Sequence, residues 1–220
     1  MRIVLLGPPG VGKGSLALLC HTRFRFAHIS PGEIFRHEIE RRTPLGRRVQ
    51  RYVTAGRLVP NALVVEVMVK RLRAHAVARG FVCDGFPRTV GQARGLDRAL
   101  ARLHRPLDGA VSLTSPRTLL VRRLSGRRVC NRCGANYHLV TMRPQRAGRC
   151  DRCGGALSVR KDDQPSTIRK RLAIDHKAAA PLVTYYRRKG LLYRVNGIGH
   201  IETVFRRALA LFQRRGWIGR

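Results

Sequence analysis

The stretch GPPGVGKGS at residues 7–15 decides the fold of this chain. It follows an apolar segment, residues 2–6, that predicts a buried strand, and it leads into a helical pattern from Lys13 to about Phe24. Glycines allow backbone N–H groups to close around phosphate oxygens, and the helix N-terminus adds partial positive charge. The stretch therefore predicts a phosphate-binding loop in which Lys13 contacts a transferring phosphate.

Short apolar strands alternate with helices along the rest of the chain. Further strands are predicted at residues 81–83, 110–113 and 192–195, and helices at 31–42, 44–55, 60–79, 89–103, 116–124, 167–188 and 201–214. Such alternation is typical of an α/β protein with a central parallel sheet covered on both faces. With the phosphate loop, it predicts a three-layer fold of the P-loop NTPase type.

The charge of the chain is strongly positive, with 45 Lys+Arg against 12 Asp+Glu and a net charge of +33 over 220 residues. Such a charge attracts polyanions, so non-specific binding of nucleic acid is one expectation. The sequence has no run of 18 apolar residues, and four apolar residues near the start are too few for a signal-peptide core. We therefore expect no membrane association and a cytoplasmic location, where thiols stay reduced.

Four of the six cysteines form two Cys-x2-Cys pairs with sixteen residues between them: Cys130, Cys133, Cys150 and Cys153. This spacing predicts a structural site for Zn²⁺ or a similar tetrahedral metal. Because four protein ligands close such a site, the metal is expected to stabilise its segment and to take no part in chemistry. The other two cysteines, Cys20 and Cys83, lie in a predicted helix and strand and are expected to be core residues.

The phosphate loop departs from the general pattern because Gly14 separates Lys13 from Ser15, and this variant resembles the loop of adenylate kinases. Three further segments support the resemblance: DGFPRT at 84–89 followed by Gln92, GRR at 126–128, and RKDD at 160–163 followed by RKR at 169–171. They resemble the acceptor-nucleotide signature, the first hinge of the lid, and the second hinge with its arginines. Order and spacing agree from Arg2 to about Arg207.

The resemblance to the zinc-containing type of adenylate kinase, within the nucleoside monophosphate kinase family, implies three parts. They are a core at 1–29, 60–126 and 164–220, an NMP-binding domain at 30–59, and a lid at 127–163. It also implies reversible transfer of the terminal phosphate of ATP to AMP, giving two ADP, with Mg²⁺ and lid closure. A monomer is expected.

The resemblance assigns the chemistry to one lysine, one aspartate and four arginines: Lys13, Asp84, Arg88, Arg127, Arg160 and Arg171. Guanidinium groups suit the task because they bind phosphate oxygens in a bidentate manner. Asp84 is expected to hold the water shell of Mg²⁺, with a structural salt bridge as the alternative. Asp162 and Asp163 are expected either to steady the lid hinge or to act directly.

The resemblance also implies two sets of nucleotide contacts. For ATP they are Gly10, Val11, Gly12, Lys13, Gly14, Ser15, Arg123, Arg127, Asn136, Tyr137 and Gly199. For AMP they are Pro31, Arg36, Arg57, Leu58, Val59, Gly85, Phe86, Pro87, Arg88, Gln92, Arg160 and Arg171.

Two positions in the acceptor segment depart from the family pattern, since Pro31 replaces the usual threonine and Glu33 the usual aspartate. Pro31 lacks a hydroxyl that would help to hold AMP. The carboxamide of Gln92 can pair with an adenine edge and so favours AMP over UMP or CMP, which remain alternative acceptors. A second alternative is a basic nucleic-acid-binding protein with a zinc ribbon that keeps a nucleotide site.

Overall fold

A computed structural model describes residues 1–55, 57–74, 77 and 79–219. Five parallel strands form the central sheet in the order β2-β3-β1-β4-β8. Their bounds are β1 Arg2–Leu6, β2 Ala27–Ile29, β3 Phe81–Asp84, β4 Gly109–Thr114 and β8 Leu192–Asn196. The predicted α/β fold with a central parallel sheet is confirmed.

Eight helices accompany these strands within the described residues. They are α1 Lys13–Phe24, α2 Pro31–Glu40, α3 Pro44–Thr54, α4 Asn61–Leu72, α5 Val90–Arg102, α6 Arg117–Ser125, α7 Pro165–Arg188 and α8 Ile201–Arg214. Side chains of β1 alternate between two cores, since Ile3 and Leu5 pack with α1, α6 and α8, whereas Val4 and Leu6 pack with α2 to α5. The sheet is therefore buried on both faces at β1, which explains why this central strand is continuously apolar from Ile3 to Leu6.

A small antiparallel sheet stands apart from the central one. Its strands are β5 Arg127–Cys130, β6 Asn136–His138 and β7 Leu157–Ser158, in the order β6-β5-β7. A 3-10 turn at Lys161–Asp163 then leads into α7. The segment between α6 and α7 contains both Cys-x2-Cys pairs.

The predicted helix at 60–79 is wrong in its last part, at the described residues after Leu72. The helix ends at Leu72, and residues 75, 76 and 78 of the prediction lie outside the described residues. Val77 is buried against the core, and Gly80 adopts φ +123° where a Cβ would lie 2.2 Å from the Met1 carbonyl oxygen. The chain must therefore leave the helix to enter β3.

Two smaller differences concern a missed strand and the start of a helix. Sequence patterning missed β2, whose three residues are too few to show a period. It also placed the start of α7 two residues late, because Pro165 occupies the first helical turn, where its missing N–H is no loss. No helix within the described ranges combines the length and the apolar character that crossing a membrane requires.

Candidate functional site: a phosphate-binding cleft with a cysteine cluster

The phosphate loop connects β1 to α1 at the carboxyl edge of the sheet. Gly7 adopts φ +128°, and a Cβ there would lie 2.4 Å from the Leu113 carbonyl oxygen, so only glycine fits. Gly12 precedes α1 with φ +102°. The Lys13 ammonium donates to the carbonyl oxygens of Gly7 at 2.5 Å and Pro8 at 2.9 Å, which holds it across the loop.

Lys13 and Asp84 form the electrostatic centre of the cleft. Burial lowers the pKa of Lys13 to about 8, although Asp84 and Asp175 act in the opposite direction. Burial would raise the pKa of Asp84, but His28 and Lys13 outweigh it and hold that pKa below its usual value. The His28 Nε2 atom lies 3.7 Å from Asp84 Oδ2, too long for a hydrogen bond. Burial would lower the pKa of His28, but the carboxylates of Asp84 and Glu33 outweigh it and raise that pKa. Asp84 is therefore an ionised carboxylate next to the phosphate loop.

Asp162 and Asp163, in the turn before α7, connect β5 to α7 through arginines. Asp163 accepts two hydrogen bonds of 2.6 Å from Arg127 and one of 2.8 Å from Arg171. Asp162 lies 3.0 Å from the same Arg171 nitrogen. These ion pairs agree with a structural role at the hinge, and the alternative of a direct role stays open.

Further guanidinium groups converge on the cleft. Arg160 donates to Asn136 Oδ1 at 2.6 Å, while its buried Nε has no protein partner within the described residues. Burial, together with neighbouring Arg127 and Arg36, lowers the pKa of Arg160. Arg88 donates from Nε to the Gly85 carbonyl oxygen at 2.9 Å. Clustered cations with a buried unused donor make this region suited to an anion with several oxygens.

Arg123 connects α6 to the loop after β8. Its Nη1 donates to the Gly197 carbonyl oxygen at 3.0 Å and its Nη2 to the Gly199 carbonyl oxygen at 2.8 Å. These bonds fix the planar guanidinium beside the loop, where a flat base could stack on it.

Most of the predicted site residues line one cleft. They are Gly10, Val11, Gly12, Lys13, Gly14, Ser15, Arg36, Asp84, Gly85, Arg88, Arg123, Arg127, Asn136, Tyr137, Arg160, Arg171 and Gly199. They come from the phosphate loop, from α2, from the ends of β3 and α6, from the small antiparallel sheet, from the turn before α7, from α7 itself and from the loop after β8.

Seven predicted acceptor residues do not line that cleft: Pro31, Arg57, Leu58, Val59, Phe86, Pro87 and Gln92. Phe86 is fully buried in the core, which makes it a packing residue in this structure. Gln92 is 2% exposed, and its amide accepts from Arg88 N at 2.8 Å and donates to Asn61 Oδ1 at 3.0 Å. The amide of Gln92 is thus already bonded on both its oxygen and its nitrogen.

Sequence reasoning missed several cleft residues. Among them are Ser30, Gly32, His138, Thr141, Met142, His200 and Ile201. Each lies within a few residues of an assigned position, and that proximity is the one signal that could have found them. His28 was also missed, because its contact with Asp84 joins two strands that are distant in sequence.

The four lid cysteines form the predicted cluster. Their Sγ atoms all lie within 4.8 Å of one another, with 3.5 Å from Cys130 to Cys153 and from Cys133 to Cys150. Tetrahedral Zn²⁺ with bonds of about 2.3 Å separates sulfurs by about 3.8 Å, so the four thiols fit a tetrahedral metal. The Tyr137 hydroxyl lowers the pKa of Cys150 to about 6, which favours the thiolate that a metal binds.

Comparisons with known proteins agree with this geometry. A family model described as adenylate kinase matches residues 5–191. The adenylate kinase of Moorella thermoacetica is 46% identical over 204 residues, which cover 93% of this chain and 94% of the relative. Those of Clostridium botulinum strain 657 and Carboxydothermus hydrogenoformans are each 43% identical over 205 residues, covering 93% of this chain and 95% and 96% of the relatives.

The cleft, the phosphate loop and similarity along nearly the whole length agree on a nucleoside monophosphate kinase, which converts ATP and AMP into two ADP. The chain belongs to the adenylate kinase family.

Proposed function

We propose that ATP binds on the side of the cleft formed by the phosphate loop, Arg123 and the lid, and that AMP binds on the side formed by residues 30–59. The observation that carries this assignment is the convergence of Lys13, Asp84 and the guanidinium groups on one cleft at the carboxyl edge of the parallel sheet. Open α/β sheets bind ligands at this edge. In the proposal, the lid is residues 127–163 and it closes over the bound nucleotides.

The residues divide the reaction between charge neutralisation and positioning. Lys13 leaves the carbonyl oxygens of Gly7 and Pro8 and contacts the phosphate that is transferred. Arg88 and Arg36 bind the phosphate of AMP. Arg127, Arg160 and Arg171 surround the transferring group, where planar donors stabilise charge spread over its oxygens.

Mg²⁺ fits beside Asp84. That carboxylate is ionised, and a Cβ on Gly14 would lie 3.0 Å from Asp84 Oδ2, so the missing side chain of Gly14 leaves room in front of it. Asp84 would hold the water shell of the ion, and the Ser15 hydroxyl lies in the same cleft. When bound, Mg²⁺ neutralises and orients phosphate oxygens.

We assign Zn²⁺ to the four-cysteine cluster in the lid. A closed site of four thiolates supplies stability and no open position for a substrate. Such ligands must be reduced, which supports a cytoplasmic location. We also propose that the enzyme acts as a monomer.

The acceptor is tested by a coupled assay with ATP and Mg²⁺ against AMP, GMP, CMP and UMP. We expect AMP to be preferred. Gln92→Ala should raise KM for AMP more than for the other monophosphates, which corresponds to a loss of about 1–3 kcal/mol in the free energy of AMP binding. Because the Gln92 amide accepts from Arg88 N, part of that loss reflects a displaced Arg88. Pro31→Thr serves as the matched variant, and we expect equal or tighter AMP binding. A preference of the wild type for CMP or UMP would refute the adenine assignment.

A second proposal is non-specific binding of nucleic acid. Arg94, Arg98 and Arg102 are exposed along one side of α5, each about 6 Å further along the axis. Like charges four residues apart destabilise an isolated helix, and a polyanion relieves that repulsion. The net charge of +33 acts in the same direction.

This binding is tested on a salt series with a random single-stranded oligonucleotide. Affinity should fall steeply as salt rises, because binding releases condensed counterions. Replacing the three α5 arginines by glutamine should weaken binding more than the same change at the scattered exposed residues Arg48, Arg146 and Arg206. Kinase inhibition by the oligonucleotide should likewise disappear as salt is added. Absence of binding at about 50 mM salt would end this proposal.

A further inference from the structure

Tyr137 lies between the cysteine cluster and the nucleotide cleft. It is the central residue of β6, and its side chain is 6% exposed. The ring packs in the small lid core with Cys130 and Cys150, while the residue also lines the cleft next to Asn136. One side chain therefore contacts the metal ligands and belongs to the strand that faces the nucleotide.

The hydrogen bonds of the Tyr137 hydroxyl fix its direction. The backbone N–H of Asp151 donates to the hydroxyl oxygen at 2.8 Å, and Cys150 Sγ lies 3.4 Å from the same oxygen. A metal-bound thiolate carries no proton, so its sulfur can only accept. With the metal bound, the hydroxyl would therefore donate its hydrogen to Cys150 Sγ.

The same strand is bonded on the cleft side. Asn136 Oδ1 accepts from Arg160 at 2.6 Å, and β6 pairs with β5, where Tyr137 lies opposite Arg128 and His138 opposite Arg127. Both Arg127 and Arg160 belong to the arginine cluster of the cleft. A displacement of the second cysteine pair, Cys150 and Cys153, can therefore be transmitted to the cleft through β6 alone.

We propose that Tyr137 is a positioning residue that couples the metal site to the donor-nucleotide pocket. Its hydroxyl orients the Cys150 thiolate, and the metal in turn fixes the position of β6. In that position Asn136 and Arg160 contact the nucleotide. This inference rests on the proposed zinc site and on the proposed placement of ATP. Hydrogen bonds to a ligand atom typically change metal affinity 10- to 100-fold.

Tyr137→Phe tests the inference, because phenylalanine keeps the buried ring and removes the hydroxyl alone. The holoenzyme is titrated with a chromogenic zinc chelator, and the variant should lose metal about 10- to 100-fold more readily than the wild type. Tyr185→Phe is the control, since it removes a hydroxyl that donates to Asp97 Oδ2 at 2.5 Å, outside the lid. We expect metal retention in that control to match the wild type.

The coupling is measured in the same titration with a nonhydrolysable ATP analogue and Mg²⁺ in excess. Since coupling between two ligands is reciprocal, the analogue should strengthen metal retention in the wild type by about fivefold or more, and less in Tyr137→Phe. A metal-free wild type would refute the zinc site itself. Wild-type metal retention in Tyr137→Phe, or an analogue effect that is the same in both proteins, would refute the role of Tyr137 and leave the zinc site intact.

Discussion

Replacing Lys13 by alanine should reduce kcat by about a thousandfold or more while the protein stays folded. A single preorganised donor to a developing charge contributes a factor of about 10²–10³, and Lys13 is a full charge in a buried position. The measurement is the coupled assay in both reaction directions. Lys177→Ala, at an exposed position on α7, is the control and should retain wild-type turnover. Normal activity in Lys13→Ala would remove Lys13 from the mechanism.

Stability provides an independent readout for the same variant. The pKa of Lys13 is about 8 in the folded chain, against about 10.4 for an unfolded lysine. Between these values the unfolded state binds more protons, so the free energy of unfolding of the wild type rises with pH. Lys13→Ala lacks this contribution. Urea denaturation from pH 7 to pH 10 should therefore show the wild type gaining stability relative to the variant, and a constant difference would contradict the buried charge.

Removing the metal should lower the melting temperature of the lid markedly. Turnover measured at low temperature should change little by comparison. The lid sheet has strands of four, three and two residues, and four residues form its buried core. So small a core cannot stabilise itself, whereas zinc binding supplies about 10–16 kcal/mol in small zinc domains. Calorimetry after chelation, or of Cys130→Ser, should show an early lid transition.

Metal content must be measured beside the calorimetry. We expect one metal ion per chain in the wild type and in the control Cys20→Ala, whose altered residue lies on the buried side of α1, in the core and outside the lid. Cys130→Ser should hold less. A wild-type preparation that is free of metal and melts unchanged would show that the cluster does not stabilise the lid.

Features that are local in sequence could be predicted from it. The phosphate loop needs glycines, one lysine and a helix start within nine residues, and the cysteine cluster needs two short pairs. The parallel sheet followed from the alternation of apolar strands with helices. Each of these signals comes from residues that are close together in sequence, through their backbone geometry or the spacing of their ligand atoms.

Contacts between distant segments could not be predicted in this way. His28 beside Asp84, Asn61 bonded to Gln92, and Tyr137 bonded to Cys150 each join residues that meet only after folding. The acceptor pocket is the part of the site that was least predictable from the sequence. The sequence predicted that the Gln92 carboxamide pairs with an adenine edge, whereas in the structure that amide is bonded to Arg88 and Asn61.

The cysteines of this chain fall into two populations with different reactivity. Cys20 and Cys83 are fully buried, and burial raises the pKa of Cys20 to about 12 and that of Cys83 still further. Both remain protonated and shielded from alkylating reagents. Once a chelator withdraws the metal that we assign to the lid, its four thiols lose their metal bonds and can react. A thiol-specific dye added with a chelator to the natural sequence would therefore follow release of the metal from the lid, without first removing the core cysteines.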